Sequence, residues 1–139
     1  MSVRDCDTDA RYGGDEFAVI QSETDLEGTR VAMETIRNAV YSATSTYFRE
    51  QGIDRDGVTL SLGAANYIAH VTKPVLESRK DVHAAVEELI FKADAAAYAS
   101  KDAGKNRSTI FEAGMESRRR SPAVVVEVDP HQPAYSKAS

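Results

Sequence analysis

Arg11-Tyr12-Gly13-Gly14-Asp15-Glu16-Phe17-Ala18-Val19-Ile20 is the stretch on which the fold turns. Two adjacent glycines followed at once by two carboxylates and an apolar run predict a tight hairpin turn entering a buried strand. Glycines take positive φ without a Cβ penalty and leave the backbone bare, so N–H groups at such a turn become available to an anion. Asp15 and Glu16 stand at its mouth, where hard carboxylate oxygens can hold Mg²⁺ against phosphate oxygens. Side chains alternate along a strand, so these neighbours face opposite sides once the strand has begun and take different tasks. The same residues also fit a plain exposed hairpin tip with solvated acids, and the rest of the chain has to decide between the two.

On the N-terminal side the segment 1–10 is polar, with Arg4, Asp5, Asp7 and Asp9 ahead of the hairpin. Arg4 and Asp7 are three apart, a spacing that a strand would send to opposite faces and that a turn would bring together as a local ion pair. On the C-terminal side, Thr24-Asp25-Leu26-Glu27 has the form of a capping box and predicts a helix start. Ala32, Met33, Ile36, Ala39, Val40, Ala43 and Tyr47 then recur at helical spacing, which predicts a core-packing helix to about Phe48, stopped near Gly52. The β-formers of residues 57–65 alternate apolar with small polar types and predict a strand. Residues 66–80 read as a long surface loop with room for a short extra element, and His70 and His83 near it lack metal-ligand spacing, so packed or solvated histidines are expected.

From Asp81 the apolar face Val82, Ala85, Val86, Leu89, Ala93, Ala96 and Ala97 predicts a second long helix ending before Gly104. Its alanine-rich second half implies close approach to a neighbouring sheet or helix. Lys101, Lys105 and Arg107 gather at its end, where the macrodipole alone favours cations. Residues 108–112 predict a last strand. The remainder, 113–139, with Arg118-Arg119-Arg120 and three prolines, reads as a flexible tail in which 123–128 could pair as an edge strand. The element order is hairpin, helix, strand, helix, strand, an α+β sandwich.

With 139 residues and 42% hydrophobic content, the chain holds one modest domain and a tail. A formal net charge of −5 argues against a protein that coats nucleic acid. It leaves room for a nucleotide site with a few well-placed cations. The single cysteine, Cys6, permits no internal disulfide and fits a reducing cytoplasm as an inert structural thiol. No run approaches the roughly 20 apolar residues of a membrane span, and no signal-peptide core is present, so a cytoplasmic chain without membrane contact is expected.

The run Gly13-Gly14-Asp15-Glu16-Phe17, preceded by Arg11-Tyr12, resembles the signature of the GGDEF family of diguanylate cyclases. Further blocks follow in the family's order: the Val58-Thr59 to Gly63 strand, and Ala93-Asp94, Tyr98, Lys101 and Gly104-Lys105-Asn106. The resemblance runs from about Val3 to Glu112 and implies a nucleotidyl-cyclase, ferredoxin-like palm. It implies condensation of two GTP into cyclic di-GMP with release of pyrophosphate, in bacterial second-messenger signalling, with Mg²⁺ or Mn²⁺ as cofactor and a homodimer sharing each active site. Asp15 is then the hairpin's metal carboxylate, and Asp15 or Glu16 helps deprotonate the attacking hydroxyl. Gly13 and Gly14 let the nucleotide approach, and Lys101 and Lys105 face the phosphates. Lys105 stands where the family carries arginine, a point charge in place of a planar fork. Arg4 and Asp7 match the family's inhibitory site for its product. That site's second arginine is replaced by Thr35, for which Arg30 or Arg37 could substitute.

The family's domain begins with a helix, a strand bearing the first metal-binding aspartate and a guanine-reading segment, none of which this sequence contains. Residues 1–112 therefore read as the C-terminal part of the domain. A chain lacking that strand is expected to be marginally stable, prone to self-association and without measurable cyclase activity by itself. The competing expectation is a catalytically inactive remnant that binds GTP or cyclic di-GMP, and a third is a remnant with no ligand.

Overall fold

The computed structural model describes residues 7–72 and 77–118. Arg4, the segment 119–139 and its possible edge strand 123–128 lie outside the described residues. Elements follow the order β1 (Thr8–Gly13), β2 (Glu16–Ile20), α1 (Leu26–Glu50), β3 (Leu62–Ala64), α2 (Tyr67–His70), α3 (Arg79–Asp102) and β4 (Ser108–Ile110), then a 3₁₀ turn over Met115–Arg118. This mixture of long helices and small sheets is the α+β architecture expected.

β1 and β2 form an antiparallel hairpin in which Thr8 faces Ile20 and Ala10 faces Ala18, with a register shift between Arg11 and Gly13. The apolar run was expected to be buried, and it is not. Phe17 is 73% exposed and Ile20 67%, and only Ala18 in β2 is half-buried. The reason lies in the sheet topology: among the described residues the hairpin is a sheet of its own, separate from the β3–β4 pair.

Helix α1 is capped one residue later than expected, by Asp25, whose Oδ1 accepts from the Gly28 amide at 2.7 Å. Thr24 instead turns its hydroxyl to the Ser22 carbonyl. Aspartate caps as well as threonine does, and here its carboxylate also favours the positive end of the helix. Thr29 and Met33 are buried on the inner face of α1, while Ala43 and Tyr47 are exposed.

β3 covers only Leu62–Ala64 of the expected strand over 57–65. Upstream of it the backbone follows α1: the Val58 amide donates to Thr44 Oγ1 at 2.8 Å, and the space where a Gly57 side chain would lie is filled by the Tyr41 carbonyl and Ser45. β3 pairs in parallel with β4, Gly63 opposite Thr109, and α3 is the crossover between them. Ser78 caps α3, accepting from the Asp81 amide.

The alanine-rich half of α3 presses onto β3, as the sequence implied. A Cβ on Gly63 would collide with the backbone of Ala93 and Ala97. Ser100, fully buried, donates to the Leu62 carbonyl at 2.7 Å and shares a 2.6 Å hydrogen bond with the Thr109 hydroxyl, so one side chain ties α3 to both strands. Ala95, Ala96 and Phe111 form the core with Ala65 and Met115 against them. Packed structure thus continues past residue 112. Four of the seven buried apolar residues among those described are alanines, which contribute little burial energy each.

The connection after β3 contains the short helix α2 and is anchored. Asn66 caps α2 through its Oδ1, and its Nδ2 donates to the Thr24 carbonyl at 2.9 Å. His70 is packed: its Nδ1 accepts from the Asn66 amide and its ring meets Phe111 edge-on. Burial, with the Lys92 charge nearby, lowers its pKa. No helix among the described residues is long and apolar enough to cross a membrane.

Candidate active site

The hairpin tip is built by glycine at one position. Gly14 has φ +51°, in the left-handed region, whereas Gly13 does not need it, and a side chain on either would meet nothing within 4 Å. The Arg11 guanidinium donates from Nε at 3.0 Å and Nη2 at 2.6 Å to the Gly14 carbonyl. This pins the bend and leaves Gly13, Gly14, Asp15 and Glu16 exposed. Open space over two glycines is what a nucleotide approaching the backbone requires.

Helix α3 brings the opposite charge. Lys101 Nζ lies 3.7 Å from Glu16 Oε1, with about half of each side chain exposed. The helix then closes in a Schellman motif: the Lys105 amide donates to the Ser100 carbonyl at 3.0 Å and the Gly104 amide to the Lys101 carbonyl at 3.4 Å, with Gly104 at φ +109°. Two further residues stay left-handed, Lys105 at φ +60° and Asn106 at φ +46°. Non-glycine residues pay roughly 1–2 kcal/mol each for that conformation, less for asparagine, so the surroundings must hold it in place.

Part of the hold comes from α1. Arg37 donates from Nε and Nη2 to Glu34 Oε2, at 3.1 and 2.7 Å, and from Nη1 to Asn106 Oδ1 at 2.9 Å. The Arg37 guanidinium keeps the Glu34 carboxyl below the usual carboxylate range. Ser108 Oγ, buried without a hydrogen bond of good geometry, adds to that effect by lying close to the carboxylate. Arg107 Nε donates to the Lys105 carbonyl from the other side.

Of the site residues expected from sequence, the structure brings Glu16 and Lys101 together. It places Lys105 in the exposed turn after Lys101, and Asp15 at the exposed tip. Asp7 is half-buried before β1, and its expected partner Arg4 lies outside the described residues. Thr35 donates to the Val31 carbonyl of its own helix, and Arg30 makes an exposed pair with Glu27 at 3.7 Å. Glu34 and the Arg37–Asn106 link had no signal in the sequence beyond an i,i+3 charge pair, because the two linked residues are 69 apart.

No group of three or more potential metal-ligating side chains occurs among the described residues. Mg²⁺ is commonly held by one or two carboxylates, with substrate phosphates and water completing the shell, so Asp15 and Glu16 suit it as a phosphate-completed site.

Comparison with known proteins identifies the family. Residues 1–107 match the family described as "Diguanylate cyclase, GGDEF domain". Diguanylate cyclase A of Treponema denticola is 35% identical over 112 residues, covering 78% of this chain and 25% of that protein. Diguanylate cyclase DosC of Escherichia coli is 31% identical over 114 residues, 82% of this chain and 21% of its own length. The uncharacterized protein YhcK of Bacillus subtilis is 32% identical over 107 residues, 77% of this chain and 26% of that protein. The chain spans about a quarter of the length of these curated relatives. The chain belongs to the GGDEF domain family of diguanylate cyclases.

Proposed function

We propose that this GGDEF domain acts in the condensation of two GTP molecules to cyclic di-GMP, with the hairpin and the end of α3 facing the same triphosphate. The observation that carries the reading is the Glu16–Lys101 approach of 3.7 Å, which sets a cation of α3 beside the acidic tip. An ion pair this exposed is worth about 0–1 kcal/mol, so Lys101 gives up Glu16 cheaply when a more highly charged phosphate arrives.

In the reaction each 3'-hydroxyl oxygen bonds to the α-phosphorus of the other GTP, the bond from that phosphorus to the bridging oxygen breaks, and pyrophosphate leaves. Asp15 or Glu16 takes the hydroxyl proton. Gly13 and Gly14, with no side chain to fill the space above them, admit the nucleotide to the backbone. Lys101 and Lys105 offset charge on the β- and γ-phosphates. Asp15, with Glu16 beside it, would hold Mg²⁺ or Mn²⁺, which when bound supplies charge neutralisation at the phosphates. Two copies of the domain meeting face to face complete the chemistry, since each supplies one GTP.

Calorimetric titration of the 139-residue chain with GTP, with and without Mg²⁺, tests this. Mg²⁺ is expected to raise the affinity, Lys101→Ala to lower it about tenfold through loss of a charged hydrogen bond, and Asp15→Asn to abolish the Mg²⁺ dependence. A chain that takes up no GTP overturns the proposal. Uptake indifferent to Mg²⁺ and to Asp15 moves the assignment to the second reading, a GTP- or cyclic di-GMP-binding remnant.

A further inference from the structure

We infer that Arg37 is a positioning residue for the phosphate-facing turn: through Asn106 it fixes the left-handed backbone from which Lys105 projects. The inference rests on the nucleotide reading above and assigns a task to a residue on the other helix.

The turn has the form of something held rather than something relaxed. Gly104, Lys105 and Asn106 are consecutive left-handed residues, at φ +109°, +60° and +46°. Glycine is at home there, asparagine tolerates it and lysine does not. Strain of this kind persists only where the surroundings over-determine it. Two of the restraints come from nearby in the chain, the Lys105 amide on the Ser100 carbonyl and Arg107 Nε on the Lys105 carbonyl. The third comes from α1, where Arg37 Nη1 meets Asn106 Oδ1 at 2.9 Å.

Arg37 is itself set before it reaches the turn. Its Nε and Nη2 both rest on Glu34 Oε2, at 3.1 and 2.7 Å, so one edge of the guanidinium is committed on α1 and Nη1 is left to meet Asn106. A planar fork with one edge committed and one nitrogen remaining suits this relay, and an ammonium does not.

The test uses the 139-residue chain, GTP with Mg²⁺ as the probe, and amide hydrogen exchange as a readout that does not depend on nucleotide. In Arg37→Ala and in Asn106→Ala the Lys105 amide is expected to exchange about tenfold faster. The Phe111 amide, which donates to Ala64 at 2.8 Å, keeps its protection and reports the fold. GTP affinity falls about tenfold in each variant, and the double variant falls no further than either single one. Arg37→Lys restores neither readout.

Unchanged Lys105 exchange and unchanged affinity in Asn106→Ala overturn the inference, as does an Arg37→Lys variant that behaves as wild type. Should Arg37→Ala lose protection at Phe111 as well, the exposed position 106 carries the test instead, since its replacement removes the same hydrogen bond without touching α1. If wild type takes up no GTP while the Lys105 amide still responds to Arg37, the nucleotide reading falls and the dependence of the turn on Arg37 stands.

Discussion

The hairpin and the α3–β3 contact are opposite solutions to the use of glycine. At the tip, a side chain added to Gly13 or Gly14 meets nothing within 4 Å, while one added to Gly63 strikes the backbone of α3. Every residue of β1 and β2 except Ala18 is exposed, whereas Ala95, Ala96, Ala99 and Ser100 of α3 are buried. The acids proposed to carry the chemistry therefore sit on an exposed element, and the lysines proposed to act with them spring from the end of a helix whose second half is buried. Bare backbone serves access in the first region and close packing in the second.

The largest effect expected from this contrast is at Gly63. Gly63→Ala should destabilise the chain by about 2–3 kcal/mol, because the overlap is with helix backbone that cannot turn aside, and urea unfolding measures it. Gly13→Ala, by the same measurement, should change stability by less than about 0.5 kcal/mol. Equal losses at the two sites would break the comparison.

A smaller effect sharpens it from the packed side. Thr72 and Lys92 together hold the Glu88 carboxyl down to about 2 from its ordinary 4.5, Lys92 first, by hydrogen bonds at 2.7 Å from Nζ and at 2.5 and 3.1 Å from the Thr72 hydroxyl and amide. A depressed carboxylate pKa stabilises the fold above the unfolded value and ceases to do so as pH falls through the folded one. The contribution is therefore complete above about pH 4.5 and disappears toward pH 2. With Glu88 partly open to solvent, about 1–2 kcal/mol is expected, seen as a stability difference between wild type and Glu88→Gln that narrows over that window in urea titrations.

The smallest effect belongs to the tip. Glu16→Gln should alter stability by no more than about 0.5 kcal/mol, and the difference should shrink further in salt, because the Lys101 pair is half exposed. A large salt-dependent loss would mean that the hairpin is bound to the body by that pair.

What could be read in the sequence was whatever is decided locally. The two long helices follow from apolar spacing, the hairpin from Gly13-Gly14, and the helix end from Gly104, each a signal confined to a few neighbouring residues. The close approach of α3 was legible because small residues repeat along one face. Burial of Phe17–Ile20 was misjudged because an apolar run does not say whether another layer covers it. The strand over 57–61 was misjudged because β-forming residues still need a partner strand, and here Thr44 of α1 takes the Val58 amide instead. In the site, the acids and lysines were legible as types and spacings, and Lys101 does reach Glu16. The Arg37–Asn106 and Ser100–Leu62 links were not, since tertiary contacts between distant positions leave no periodic trace.

One tether sets how the acidic tip can move. Asn66 grips the Thr24 carbonyl just before α1, so the chain leaving the hairpin is clamped to the loop beyond β3. The hairpin, cross-linked by its own ladder, meets α1 through the few residues between Ile20 and that clamp, a short pivot. Loosening position 66 would lengthen the pivot and widen the arc swept by the carboxylates, while the lysines, rooted in α3, would stay where they are.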